Sequence, residues 1–345
     1  MARRLYLASL ALTPLVLVAR YVVHADGTVL FVLSALALVP LAYLIGEATE
    51  NVAEHTGSRV GGFLNASFGN APELIISLFA VGDALPAVVL GSITGSVVSC
   101  ALLVLGAAIA YGGGEGLDRR SLLLQVAVLG VAVALFLIPS AARWDGSADI
   151  HDLYLLTLPV ALVLLCVYLV TTAHNLRGPS PPPASRLPGV PWSLRAGISV
   201  LIVATLATAA MSHVLVHSLT AFVDDLGLSQ FFVAAVIVAL VGNATEHGGA
   251  IVTARRGNSG LGSEIAVSSA TQVAVLVAPV VALLSGFAGK ELPLAFRPVE
   301  ILTMAGAALG VFLVIYDSRA RRWEGFALLG GYVACVFVYW FVGDG

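Results

Sequence analysis

The sequence predicts an all-α polytopic membrane protein with eleven transmembrane helices, and three observations predict it. The chain of 345 residues is 59% hydrophobic and only 11% charged, whereas about a quarter of the residues of a soluble domain are charged. Its apolar runs of about 20 residues, each long enough to cross a bilayer, are separated by short polar breaks. Its basic residues fall mainly in alternate loops. The chain must therefore be solvated mostly by lipid.

The predicted spans follow from the apolar runs and are residues 5–23, 28–56, 58–81, 84–111, 121–139, 151–175, 194–222, 229–254, 259–287, 294–316 and 323–342. Thirteen of the 17 Lys and Arg residues fall on the side of the N-terminus when the loops are counted in turn. The positive-inside rule therefore places the N-terminus in the cytoplasm and the C-terminus outside. The first span is expected to be a retained helix, because no convincing cleavage site for a signal peptide precedes Asp26.

A Pro-rich stretch, residues 177–193, is predicted to be a semi-rigid cytoplasmic linker. It divides the chain into a first helix at 1–25, a five-helix repeat at 26–176 and a second five-helix repeat at 194–345. The three cysteines are predicted to be buried small hydrophobes, because all fall inside apolar runs: Cys100, Cys166 and Cys335. Neither a disulfide framework nor a metal cluster is supported.

A Gly-Asn-Ala-x-Glu pentad occurs twice, each time inside a long apolar run, at residues 69–73 and 242–246. Glu73 and Glu246 are therefore expected at bilayer depth, where a carboxylate is costly and points to function. The pentads are 173 residues apart. Because five helices per repeat is an odd number, the second repeat must enter the membrane from the opposite side. Such an inverted repeat places an ion site near the midplane, where the halves meet.

Local chemistry supports an ion site at the two pentads. Gly69 and Gly242, each followed by Asn, weaken a helix at its centre, and Pro72 removes a backbone donor. A broken helix frees carbonyl oxygens, which is tolerable at that depth only where something polar uses them. Together with these carbonyls, four side chains form an all-oxygen set: Asn70, Asn243, Glu73 and Glu246. Such a set suits a hard cation such as Ca²⁺.

Small polar residues on the following helix of each half are candidates to complete the lining. They are Ser92, Thr94, Ser96 and Ser99 on the fourth helix, and Ser268, Ser269, Thr271 and Gln272 on the ninth. The alternative for any one of them is that it only helps the helices to pack. We predict that Ser96, Ser269 and Gln272 belong to the site.

Two facing carboxylates also suit the exchange of one ion for another. When ionised they neutralise a divalent cation, and when empty and close together they repel each other, which favours their protonation. One pair can then hold either Ca²⁺ or about two protons, which is the logic of an antiporter. The alternative is a buried carboxylate paired with a nearby base, which the scarcity of Lys and Arg in the two central helix segments disfavours.

At these residues the sequence resembles the Ca²⁺/H⁺ antiporters, the CAX family of the cation/Ca²⁺ exchanger superfamily. Further similar motifs lie at residues 48–50, 61–68, 246–247, 269–272, 277–279, 296, 300 and 323–325. The resemblance covers nearly the whole chain after the first helix. It implies one peripheral helix plus two inverted five-helix repeats, and exchange of cytosolic Ca²⁺ for external protons by alternating access. It also implies that Glu73 and Glu246 are the central Ca²⁺ ligands, with Asn70, Asn243, Ser96, Ser269 and Gln272 beside them.

The resemblance also implies a path along which cations or protons reach the site. Glu50 is one group on this path, and its counterpart in the second half is His213, where the family usually carries Glu. A His there can still pass protons near neutral pH but does not attract Ca²⁺. Glu300, which opens the tenth helix, is assigned to the same path. His247 neighbours a predicted ligand, and two readings of it stay open: exchange of protons beside the site, or neutral helix packing.

Two further departures from the family pattern, besides His213, affect the surroundings of the site. Cys100 stands where the family usually has Asn, so the fourth helix offers one hard oxygen fewer. Glu264 appears early in the ninth helix, where relatives tend to be small and apolar. The predicted centre is intact in both halves, whereas affinity and stoichiometry are put in doubt by these changes.

The sequence leaves three alternatives to a Ca²⁺/H⁺ antiporter. A Na⁺-coupled exchanger, or one for another divalent cation, is the nearest, and the Gly-Asn-Ala pentads argue against Na⁺ coupling. An intramembrane hydrolase using Glu246 and His247 is remote, because neither His-Glu-x-x-His nor Gly-x-Ser-x-Gly occurs. A channel is disfavoured by the broken inverted helices. We expect neither a cofactor nor binding to nucleic acid. The main partner is expected to be the lipid bilayer, and the expected location is the cell membrane of a prokaryote. Whether the chain forms a homo-oligomer stays open.

Overall fold

A computed structural model describes residues 6, 8–56, 67–113, 117–146, 148–175, 192–316 and 320–343. Within these ranges the only regular secondary structure is helical, as the sequence predicts. The helices, numbered in chain order, are α1 Leu12–Val23, α2 Gly27–Thr56, α3 Ala71–Gly82, α4 Pro86–Gly112, α5 Arg119–Trp144, α6 Ile150–Asn175, α7 Leu194–Leu226, α8 Gln230–Gly242, α9 Ala244–Arg255, α10 Ser259–Phe287, α11 Pro298–Tyr316 and α12 Arg322–Val342.

In the described part of the chain, the helices that are long and apolar enough to cross a membrane number eight: α2, α4, α5, α6, α7, α10, α11 and α12. α8 and α9 make a ninth span when counted together, and they are bent by 61° at their junction. α1 and α3 are shorter apolar helices, and the residues before α3, 57–66, lie outside the described part. The count of eleven spans therefore stays a prediction, as does the linker at 177–193, most of which lies outside the described residues.

The helices differ greatly in how much of their surface the protein itself covers. α4 is the central helix, because 94% of its apolar 18-residue stretch is buried inside the protein, whereas only 22% of the corresponding stretch of α12 is buried. The outer surface carries large apolar side chains such as Phe287 and Phe341, as expected where lipid is the solvent. For the same reason the prediction for Cys166 is wrong: it is exposed on α6, while Cys335 is half-buried and Cys100 is buried.

α2 and α7, the first long helices of the two halves, pack along each other in opposite directions. The beginning of α2 meets the end of α7, where a Cβ on Gly27 would lie 2.5 Å from that of Ala221. The end of α2 meets the beginning of α7, where a Cβ on Gly197 would lie 3.0 Å from Oδ1 of Asn51. Equivalent helices that run antiparallel are what an inverted repeat requires.

The later elements of the two halves also correspond. α3 and α9 have 12 residues each and begin at the two pentads. The helices that follow, α4 and α10, both contain a π-helical segment, at Ser99–Val104 and Val273–Val277. π-helical turns inside α-helices frequently occur at functional sites. Here the two segments begin three residues beyond Ser96 and four residues beyond Ser269.

One stretch that the sequence assigns to a helix, residues 294–297, has no regular secondary structure. The tenth helix was predicted to begin at residue 294, but α11 begins at Pro298. Residues 291–297 form no regular helix because prolines at 293 and 298 exclude helical geometry around them. Hydroxyls of neighbouring helices satisfy the backbone: Ser285 Oγ accepts from Leu292 N at 3.0 Å, Thr157 Oγ1 from Leu294 N at 3.0 Å, and Ser140 Oγ from Phe296 N at 2.9 Å.

Candidate ion-binding site

The site is built on two helix breaks that share one backbone conformation. Asn70 has φ −92° and ψ 10°, and Asn243 has φ −105° and ψ 21°. Each precedes a half-helix, α3 or α9, whose first turn carries the predicted carboxylate, Glu73 or Glu246. The N-terminus of a helix carries a partial positive charge that stabilises an adjacent carboxylate. Both acids are therefore held at equivalent positions, as the repeated pentads predict.

The two breaks adjoin each other in the centre of the bundle. The backbone of Gly242 lies against Glu73, since a Cβ added to Gly242 would be 3.4 Å from the Cβ of Glu73. Gly69 lies in the turn immediately before Asn70. The polar residues here are removed from solvent: Glu73, Asn70 and Asn243 are only 2%, 3% and 1% exposed. The structure thus brings the halves of the predicted site together.

Five side-chain oxygens at this junction are enclosed and accept no hydrogen bond. They are Oε1 and Oε2 of Glu73, Oε2 of Glu246, Oδ1 of Asn70 and Oδ1 of Asn243. Ser96 and Asn243 lie next to the Glu73 carboxylate, although neither of its oxygens has a hydrogen-bond partner. An enclosed acceptor without a partner costs about 1–3 kcal/mol. A cation or protons would satisfy this group of acceptors.

Hydrogen bonds across the repeats orient both amides so that their oxygens stay free. Asn70 Nδ2 donates to Gln272 Oε1 at 2.8 Å, and Gln272 Nε2 donates to Ser268 Oγ at 2.9 Å. Asn243 Nδ2 donates to Ser96 Oγ at 2.7 Å and to the carbonyl of Ala239 at 3.0 Å. Ser96 and Gln272 therefore hold the amides of the two asparagines in place.

A second set of contacts joins the surroundings of the site to α4. Cys100 Sγ lies 3.5 Å from Ser269 Oγ and 3.4 Å from His247 Nε2. Ser99 Oγ is also 3.4 Å from His247 Nε2. The imidazole of His247 is buried and is directed to this side of α4, one residue beyond Glu246. Both readings of His247 remain open, but its contacts are those of a packed side chain.

The three other residues predicted for the access path are on three different helices, α2, α7 and α11. Glu50 is half-buried on α2, one helical turn beyond Gly46, whose added Cβ would lie 3.0 Å from Thr245. His213 lies toward the opposite end of the α2–α7 pair, and its ring contacts those of Phe79 and His217 at centroid distances of 5.3 and 5.6 Å.

The contacts of Glu300 account for its burial without a role in transport. Its Oε2 accepts from the backbone N–H of Arg297 at 2.5 Å, and it lies 3.5 Å from Nε of the same residue. The carboxylate therefore caps the beginning of its own helix and forms a buried ion pair. An access role for Glu300 stays a prediction, and so do those of Glu50 and His213.

Sequence reasoning missed Ser77. Its hydroxyl is enclosed and has no hydrogen-bond partner, one helical turn after Glu73 on α3. The spacing of four residues from a buried carboxylate was the signal that could have identified it.

Among the described residues, no three His, Cys, Asp or Glu side chains are grouped to hold a metal ion. The site is thus made of carboxylate, amide and hydroxyl oxygens, the ligands that hard cations prefer.

The sequence model of one protein family, described as sodium/calcium exchanger protein, matches two segments of the chain, residues 27–177 and 196–341. The chain belongs to this exchanger family. The two matched segments correspond closely to the two halves that the structure relates to each other. Because the family consists of ion exchangers, the chain is a transporter of the multi-pass membrane type and not an enzyme.

Individual relatives of the exchanger family resemble this chain over nearly its whole length. The Ca²⁺/H⁺ antiporter ChaA of Bacillus subtilis is 33% identical over 323 residues, which are 90% of this chain and 91% of the relative. A Ca²⁺/H⁺ antiporter of Synechocystis is 32% identical over 98% of this chain and 97% of its own. The solved structure of native YfkE superimposes with a TM-score of 0.83 at 31% identity, and covers 97% of this chain and 99% of its own.

Proposed function

We propose that this exchanger carries Ca²⁺ and H⁺ in opposite directions across the membrane by alternating access. The observation that carries the proposal is the group of five enclosed, unpartnered oxygens contributed by Asn70, Glu73, Asn243 and Glu246. The group combines two carboxylates with two amide oxygens, and each half of the chain supplies one of each. The names of the relatives, Ca²⁺/H⁺ antiporters, agree with this ion pair.

The two carboxylates make occupation by Ca²⁺ and by protons mutually exclusive. When both are ionised, their charge balances one divalent cation. When both are protonated, the site is neutral and holds no cation. Raising the pH removes the competing protons, so apparent Ca²⁺ affinity should increase with pH, by up to about a hundredfold per unit where two protons compete. The expected stoichiometry is therefore about two protons for each Ca²⁺.

The direction and orientation of transport are part of the proposal. With the N-terminus in the cytoplasm, α9 runs from the site toward the cytoplasmic Arg255 and Arg256. Glu246 is half-buried and Gly248 is exposed on this helix, while Glu73 is buried. This asymmetry supports a site that opens to the cytoplasm, takes up Ca²⁺ there and returns protons from outside. The cell membrane of a prokaryote is the proposed location.

The proposed domain organisation has one peripheral helix at 1–25, repeats at 26–176 and 194–345, and a linker at 177–193. The antiparallel pairing of α2 with α7 supports the inverted relation of the repeats. Within the site, Glu73 and Glu246 are the proposed ion ligands together with the oxygens of Asn70 and Asn243. Gly69 and Gly242 form the breaks, Ser96 and Gln272 orient the amides, and Ser269 completes the lining beside Cys100.

The deciding experiment is Ca²⁺ uptake into proteoliposomes under an imposed pH gradient, with and without Na⁺. We expect uptake driven by the proton gradient and independent of Na⁺, together with alkalinisation of the lumen as protons leave in exchange for the entering Ca²⁺. Uptake that follows a Na⁺ gradient would instead identify the Na⁺-coupled alternative. Competition with Mn²⁺, Sr²⁺ or Mg²⁺ measures whether another divalent cation is preferred.

A further inference from the structure

A second polar cluster lies between α5 and α10, away from the central oxygens. Glu264 Oε2 accepts hydrogen bonds from Gln125 Nε2 at 2.6 Å and from Ser121 Oγ at 3.1 Å. Gln125 Nε2 also donates to Ser121 Oγ at 3.2 Å. Asp118, which caps the beginning of α5, adds negative charge nearby. No Lys, Arg or His of the described residues forms an ion pair with Glu264.

The hydrogen bonds of this cluster leave two of its oxygens without a partner. Every donor is directed to Oε2 of Glu264, whereas Oε1 of Glu264 and Oε1 of Gln125 are enclosed and accept nothing. Arg119, at the beginning of α5, stacks on the ring of Tyr316 at 5.2 Å. The cluster therefore offers one carboxylate oxygen and one amide oxygen, both enclosed and without a partner, which are the same two kinds of ligand as in the central site.

A polar line connects the cluster to the central site. Glu264, Ser268 and Gln272 are spaced by four residues, so they lie on one face of α10. All three are only partly buried, although α10 is otherwise mostly buried. Gln272 donates to Ser268 and accepts from Asn70, whose oxygen belongs to the central group. A cation leaving the cluster would therefore meet polar groups along the whole distance.

We propose that Glu264, with Gln125 and Ser121, forms an accessory binding site for the divalent cation on the cytoplasmic approach to the central site. Its oxygens are the Oε1 atoms of Glu264 and Gln125 and the Ser121 hydroxyl, and water completes the shell. Ca²⁺ takes six to eight oxygens, and its affinity decreases with fewer charged ligands. The site therefore binds on the order of 10⁻³ M and releases the ion readily toward Gln272. Its role in uptake rests on the proposed function.

Direct binding tests the site without any requirement for transport. In the purified Glu73→Gln/Glu246→Gln protein, which lacks both central carboxylates, equilibrium dialysis with ⁴⁵Ca²⁺ should still show one weak site per chain. Adding Glu264→Gln should abolish this site, and Glu264→Asp should retain part of it. Glu291→Gln is the matched control, because Glu291 is exposed and pairs with His151. Binding that is equal in the Glu264→Gln and Glu291→Gln triple variants would overturn the proposal.

Transport gives an independent test in the otherwise unchanged chain. Glu264→Gln should raise the KM for cytoplasmic-side Ca²⁺ by about threefold to tenfold, because a local charge concentrates counter-ions near the entrance. The loss should fall on KM more than on Vmax, and Glu291→Gln should leave both unchanged. An unchanged KM in Glu264→Gln would contradict the proposal. Complete absence of Ca²⁺ transport in the unmodified chain would refute the proposed function instead, and the binding comparison would still decide about Glu264.

Discussion

Replacing Glu73 by Gln removes one of the two charges at the centre and changes little else, because the two side chains have nearly the same shape. The five unpartnered oxygens become four, since an amide nitrogen replaces one of them. Loss of one member of a buried charge interaction costs about 3–5 kcal/mol. At about 1.4 kcal/mol for each factor of ten, Ca²⁺ binding should weaken by about 10²–10⁴-fold. Exchange should fall below detection.

The same substitution should make the ion-free protein more stable. Glu73 is 2% exposed and neither of its oxygens has a partner, so the empty site carries an unfavourable buried group. The new amide can donate to Asn243 or Ser96, which lie beside it. Relief of one unpartnered acceptor contributes about 1–3 kcal/mol. Loss of binding together with a gain in stability is the mark of a residue that is kept for function.

Two measurements on purified protein separate these effects. Titration calorimetry or ⁴⁵Ca²⁺ dialysis gives the affinity, and thermal unfolding in detergent without Ca²⁺ gives the stability. Glu291→Gln serves as the control that removes a carboxylate far from the site. The reasoning fails if Glu73→Gln transports Ca²⁺ normally. It also fails if the variant is less stable than the unmodified protein in the absence of Ca²⁺, since Glu73 would then be a structural group.

Three further predictions concern other positions. Cys100→Asn adds an amide beside Ser269 and should lower the KM for Ca²⁺ by severalfold in proteoliposomes, because oxygen is a better Ca²⁺ ligand than sulfur; an unchanged KM would show that the position does not reach the ion. His213→Glu should move the pH profile of exchange to lower pH, because a carboxylic acid exchanges protons at lower pH than imidazole, and an unchanged profile argues against an access role. Ala84 has a left-handed φ of 56°, and the equivalent position in the other half is Gly257. Ala84→Gly should therefore stabilise the protein by about 1 kcal/mol in thermal unfolding. A lower melting temperature would contradict this.

Much of the fold could be predicted because its causes are local. The thickness of a bilayer sets the length of a span, so the bounds of α2 and α10 were predicted to within one residue. The breaks at Asn70 and Asn243 follow from the glycines before them and, in the first half, from Pro72 after it. The pairing of the two halves could be predicted from the repeated pentads and the odd number of helices predicted for each repeat.

Within the candidate site, residue types were predictable and orientations were not. The acids and amides of the pentads were identified because polar groups in apolar runs are rare. Nothing in the sequence shows that Asn70 donates to Gln272 and Asn243 to Ser96, which leaves both amide oxygens free. Gln125 was overlooked, although a lone Gln inside an apolar span is the same kind of signal as a lone Glu.

By itself the sequence determined that this protein is a helical membrane exchanger with two equivalent halves and a carboxylate in each. Hydrophobic length, helix-breaking residues and the cost of buried charge act over a few residues, so they can be read along the chain. Only the tertiary structure decided that Glu264 shares a cluster with Gln125, that Asn70 pairs with Gln272, and that Asn243 pairs with Ser96. Those outcomes depend on which side chains meet across helix contacts, and residues far apart in the chain determine them.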